Sequence, residues 1–120
     1  MNKLEIKDGY INVSLDVFSY KEGDVRIMYS PALDLSGYGK NVEEAKRSFE
    51  IVFREYLKYC VENNTLDADL LKHGWKRMAS ASDYQSPDLV SMIQSNNNLR
   101  TLIQGNFNKV SKNMTVPVSC

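Results

Sequence analysis

Apolar and polar residues alternate along the stretch from Tyr10 to Val17. Ile11, Val13, Leu15 and Val17 fall on one side, and Tyr10, Asn12, Ser14 and Asp16 on the other. That two-residue period is the pattern of a strand with one buried face. Leu4 and Ile6 begin a similar alternation over residues 3–8, and Asp8-Gly9 between the two runs is a hairpin-turn pair. After the polar turn Lys21-Glu22-Gly23-Asp24, Val25, Ile27 and Tyr29 alternate again. Two such runs joined by a short glycine loop predict an antiparallel hairpin. Pro31 has no N–H to give to a ladder and marks the end of the returning strand.

The period changes at Val42. Apolar side chains recur at Val42, Ala45, Phe49, Val52, Phe53, Tyr56, Leu57 and Cys60, in steps of three and four that make one stripe of a long helix. Its far side carries Glu43, Lys46, Arg47, Glu50, Arg54 and Lys58, with Glu43/Arg47, Lys46/Glu50 and Glu50/Arg54 spaced for one-turn ion pairs. Asn41 reads as the N-cap, and Glu43 and Glu44 put negative charge at the positive end of the helix dipole. Glu44 stands at the position of a capping-box partner. Gly37 and Gly39, on either side of Tyr38, read as a turn in which glycine reaches positive φ without strain. The stripe must bury itself on something, and the hairpin's apolar face is the expected partner.

Beyond the helix the signals are shorter. Thr65 is an expected N-cap for a helix through Leu66, Leu70 and Leu71, stopped at His73-Gly74 with Gly74 as a left-handed cap. Trp75 to Met78 reads as a short strand, and the serine-rich run from Ala79 to Pro87 as a linker or surface loop. Ser86-Pro87-Asp88 has the form of a helix start: cap, proline at the first position, acid in the first turn. Leu89, Val90, Met92 and Ile93 supply that helix's apolar side, Ser95 to Asn98 interrupt it, and Leu99, Leu102 and Ile103 form one more short helix before Gly105. Residues 107–118 predict a final strand with Val110, Met114, Val116 and Val118 as apolar members, which Pro117 confines to an edge or an end. The expected fold is α+β: a small antiparallel sheet with one long amphipathic helix packed on it, a β-β-α-β core, then short C-terminal helices and a terminal strand. Residues 1–79 make the core, and 80–120 an extension packed on it or exchanged with a second subunit.

A chain of 120 residues forms one domain, and a 42% hydrophobic and 25% charged composition is that of a globular protein. Fifteen basic residues balance fifteen acidic ones, so net charge gives no footprint for nonspecific nucleic-acid binding. No apolar run approaches a membrane span, and MNKLEIKDGY has no apolar signal segment. The reading is cytoplasmic. Of two cysteines, Cys60 lies on the helix's apolar stripe and Cys120 is the last residue. Two thiols in a reducing compartment is the reading, with a Cys60–Cys120 bridge left open. His73 is the single histidine, which excludes a histidine-pair metal site; at a helix end it serves the dipole. No phosphate loop, dinucleotide fingerprint or nucleophile elbow occurs. With no constellation of nucleophile, base or metal ligands, the expectation is no enzyme, no cofactor and no metal.

The run Pro31, Leu33, Leu35, Gly37, Gly39, Asn41, Glu43, Glu44, Ala45 resembles an element of the HicB antitoxin family, in which a strand with a Pro-x-Leu-like segment leads through a Gly-x-Gly-like turn into a T-x-E-E-A helix start. The resemblance extends over about residues 4–78, with Val42 where the family often has Leu or Ile. It implies a partial ribonuclease H-like fold. True members of that larger fold hold Mg²⁺ with acids on adjacent strands; here Asp16 is on the polar side of its strand, Asp34 follows the proline, and Glu5 lies near the first strand, with no convergence legible. The resemblance also implies a partner, a small basic RNA-cleaving toxin of the HicA type. Asp34, Tyr38, Glu43 and Glu44 are then the candidate partner-binding residues, since acids near the Tyr38 loop suit a basic partner. HicB proteins often add a C-terminal DNA-binding segment. Residues 80–120 have only Arg100, Lys109 and Lys112 as basic residues, a departure that weakens any promoter-binding role. Exposed ladder groups at sheet ends make self-association the further expectation. The alternative function is a stand-alone oligomeric scaffold or ligand-binding module of the same fold without a toxin.

Overall fold

The computed structural model describes residues 2–78 and 82–117. The expectations for Val118 and Cys120, and most of the Ala79–Ser82 stretch, lie outside them. The fold is α+β, and the described residues form seven antiparallel strands in one sheet. In chain order they are β1 (Lys3–Lys7), β2 (Tyr10–Glu22), β3 (Val25–Ser30) and β4 (Leu35–Gly39), then helices α1 (Val42–Glu62) and α2 (Leu66–Lys72), strands β5 (Lys76–Arg77) and β6 (Asp83–Gln85), helices α3 (Leu89–Ser95) and α4 (Asn97–Leu102), and strand β7 (Phe107–Pro117).

The 13-residue β2 organises the sheet. Ile11 pairs with both Ile6 and Val116, and Phe18 with both Tyr29 and Lys109. A strand has two edges, so β7 runs unbroken along one edge of β2 while β1 and β3 lie end to end along the other. The chain makes this arrangement with tight turns: Asp8 (φ 53°) and Gly9 (φ 81°) join β1 to β2, and Gly23 (φ 61°) sits in the turn to β3. Where β1 and β3 meet, the N–H of Asp16 would lack a strand partner. The Asn2 side chain fills the gap, accepting that N–H at 2.6 Å from a buried position. Outside β1 and β3 lie β6 and β4.

One sheet face is apolar and carries α1. Ile11, Val13, Leu15 and Val17 are buried there with Leu4 and Met28, against Ala45, Phe49, Phe53, Leu57 and Cys60 of the helix. Val42, Val52 and Tyr56 of the expected stripe are only half-buried. On the other face α3 and α4 cover β3, burying Met92, Leu99 and Leu102 in the same core. Residues 83–117 therefore share the core of the N-terminal part, and β7 pairs with β2 over its whole length. Trp75 closes the α2 end, buried, with Nε1 donating to the Ala32 carbonyl at 2.8 Å. No helix among the described residues is long and apolar enough to cross a membrane.

Four details differ from the sequence expectation. Gly37 and Gly39 are not in a positive-φ turn; they belong to strand β4, which the sequence reading did not include. The core accordingly places four strands before the helix, not two. Asp83–Gln85, expected as loop, pairs with β1 as β6. The N-cap of α3 is Asp88, which accepts from the Ser91 N–H at 2.7 Å, and not Ser86.

Candidate functional site

The segment carrying the candidate residues is the junction from Pro31 to Ala45. Its local form follows from close packing. The inner faces of Gly37 and Gly39 lie under α1, and a methyl built on Gly37 would stand 2.5 Å from Phe49 Cα; one on Gly39 would stand 2.5 Å from Ala45 N. Glycine is required here for close approach of a helix to a strand. The same helix takes backbone N–H groups at the outer edge and end of β4. Tyr38 N–H donates to Ser48 Oγ at 3.0 Å, and Lys40 N–H to Glu44 Oε1 at 3.1 Å. Asn41 Oδ1 accepts from the Glu44 N–H at 2.9 Å, so Asn41 is the expected N-cap. Glu44 reaches one residue beyond the usual capping-box partner.

The candidate residues divide by role. Asp34 adopts φ 56° in the turn after Pro31, and its carboxylate accepts from the Tyr29 hydroxyl at 2.7 Å. Asn96 Nδ2, from the α3–α4 junction, donates to that hydroxyl at 2.8 Å. Burial pushes the Tyr29 hydroxyl above its ordinary range; the Asn96 bond opposes this and the Asp34 bond adds to it. This tyrosine is thus a neutral clamp between the turn and the C-terminal helices. Glu44 is engaged in the helix cap. Tyr38 and Glu43 are exposed.

Asp34 and Tyr38 line different grooves. Asp34 borders an open polar groove of about 810 Å³ with Pro31, Lys72, His73, Ser91 and Asn96. Tyr38 borders one of about 580 Å³ with Tyr20, Glu22, Ile27, Asn98 and Thr101. His73 caps α2, its Nδ1 2.9 Å from the Asp69 carbonyl. A third groove, about 560 Å³, lies over the open sheet face among Lys3, Glu5, Ser14, Asp83 and Asn113. Glu5 pairs with Asp83 in its strand register, a partnership invisible without the β1–β6 pairing. Among the described residues no three of His, Cys, Asp and Glu converge as metal ligands. Arg100, the basic residue of α4, is turned inward: its Nη1 donates to the carbonyls of Ile93 and Gln94 at 3.0 and 2.6 Å. It ties α3 to α4 and is not presented as a groove-reading side chain.

Comparison with protein-family models finds no match, and comparisons with curated proteins and with solved structures find none.

Proposed function

We propose that this chain is a cytoplasmic, non-catalytic binding protein similar to HicB antitoxins, which occludes a small basic RNA-cleaving toxin of the HicA type. The observation that carries the reading is the Pro31–Ala45 segment. Its residues resemble the family's element, and it forms a strand-to-helix junction whose glycines seat α1 on the sheet. A rigid junction of that kind supports protein recognition, because an inhibitor by occlusion needs a shaped surface and no reacting groups. Tyr38, 57% exposed, and Glu43 in the first turn of α1 supply contact area and negative charge for a basic partner. Glu44 holds the Lys40 backbone N–H between them, and Asp34 ties the preceding turn to the Tyr29 hydroxyl.

The test is affinity purification of the tagged chain from its native cell, read by mass spectrometry. The reading expects a small basic protein that cleaves RNA when separated from this chain. Recovery of the chain with no such protein would favour the second reading, a stand-alone oligomeric scaffold or ligand-binding module. That rival is favoured by Arg100, which is spent on joining α3 to α4 and leaves the extension's helices without a basic reading face.

A further inference from the structure

We propose that the outer edge of β7 pairs with β7 of a second copy, joining two sheets into one antiparallel sheet about a two-fold axis at Asn113. The direction of every backbone group in this sheet can be worked out from one bond. Asp16 N–H points to the β1/β3 side of β2, where it meets Asn2. Backbone groups alternate along a strand, so Ile11, Val13, Leu15 and Val17 direct theirs to β7. Their partners Val116, Met114, Lys112 and Val110 point back at β2. Phe107, Lys109, Ser111, Asn113 and Thr115 therefore point their N–H and C=O outward, and among the described residues no strand takes them. Pro117 belongs to this outward set, where its missing N–H removes nothing from the β2 ladder.

The other edges are closed or short. β4 has five residues and Ser48 takes its outward Tyr38 N–H, and β5 has two residues. An open edge of 11 residues is the one long pairing template in the described structure.

A second copy fits it. Antiparallel pairing needs outward residues to face outward residues, so the two-fold must pass through a residue position and matching faces meet. Centred on Asn113, Val110 stands opposite Val116 of the other copy and Ser111 opposite Thr115, with Asn113 opposite itself. These are favourable cross-strand pairs, joined by about eight backbone hydrogen bonds. Centring on Lys112 would set two lysines face to face. Val110 and Val116, half-buried in one copy, gain cover in the pair. A formal net charge of zero lets two copies meet without long-range repulsion.

Light scattering at high micromolar concentration should give twice the 13.7 kDa chain mass. Ser111→Pro removes an outward N–H and spares the β2 ladder, so it should give a monomer with an unchanged circular dichroism spectrum. Amide exchange on the unmodified protein gives an independent reading: Lys109, Ser111, Asn113 and Thr115 should be protected, and lose that protection on dilution. Asn113→Cys should oxidise to an interchain disulfide. A monomeric wild type, a Ser111→Pro dimer, or freely exchanging amides at those four positions would overturn the proposal.

Discussion

Replacing Gly37 by alanine tests how the helix is seated. Gly37 lies in ordinary extended backbone, so alanine there meets no φ penalty. Any loss of stability must come from the new methyl, which would stand 2.5 Å from Phe49 Cα and 2.8 Å from Phe49 Cβ. Ordinary contact begins near 3.4 Å, so α1 has to retreat by about 1 Å, and its backbone cannot rotate away as a side chain would. A gap of that size forfeits roughly a quarter to a half of each dispersion contact it opens. The contacts affected include those of Ala45, Phe49 and Phe53, all buried. Overpacking of this type costs about 1–3 kcal/mol, and a backbone clash belongs at the upper end. Alanine's smaller unfolded-state entropy returns roughly 0.4–1 kcal/mol. The expected net loss is about 2–3 kcal/mol, or roughly 10 °C in Tm for a domain of this size. Urea unfolding followed by Trp75 fluorescence measures it. Gly9→Ala is the control: its methyl meets nothing within 4 Å, but φ is 81°, so strain alone operates at about 1 kcal/mol. The seating argument is wrong if Gly37→Ala loses less than Gly9→Ala.

Trp75→Phe leaves the buried Ala32 carbonyl without its donor and should destabilise by about 1–3 kcal/mol in urea melts; an unchanged midpoint would contradict the bond at 2.8 Å. Ser30 is fully buried and its hydroxyl has no partner among the described residues, so Ser30→Ala should stabilise by roughly 1 kcal/mol, and a measured loss would refute that reading. Asp67 receives Arg77 Nε at 2.7 Å and the Tyr84 hydroxyl at 2.7 Å, which tie α2 to β5 and β6 and lower its carboxyl to about 2, the Arg77 bond being the larger cause. A depressed folded pKa contributes stability above the unfolded value near 3.8, lost as pH falls through about 2. The stability gap between wild type and Asp67→Asn should therefore close between those pH values, and a gap constant with pH would sink the assignment.

Much of the fold can be read from periodicity because the central elements obey it locally. The alternation of Ile11 to Val17, the stripe from Ala45 to Cys60 and the Asn41 cap each need only neighbouring residues. Strand β4 does not. Leu35-Ser36-Gly37-Tyr38-Gly39 has poor strand propensity, and its conformation comes from the β3 ladder on one edge and α1 on the other. β6 is three residues long and exists through a partner some eighty positions away in the chain, beyond any local signal. The candidate site divides in the same manner. Exposure of Tyr38 and Glu43 follows from their places on an outer strand and a first helical turn. The use of Asp34 to hold Tyr29 does not, because Asn96, which completes the clamp, is 67 residues from Tyr29.

The most direct test of the proposed function is a titration of RNA cleavage by the small basic protein that this reading expects to co-purify. Increasing amounts of this chain, added to a fixed amount of that protein, should suppress cleavage linearly to an equivalence point, and Tyr38→Ala with Glu43→Lys should move or abolish that point while leaving the circular dichroism spectrum unchanged. Cleavage undiminished by excess chain, or cleavage by this chain itself in Mg²⁺ or Mn²⁺, would contradict the account.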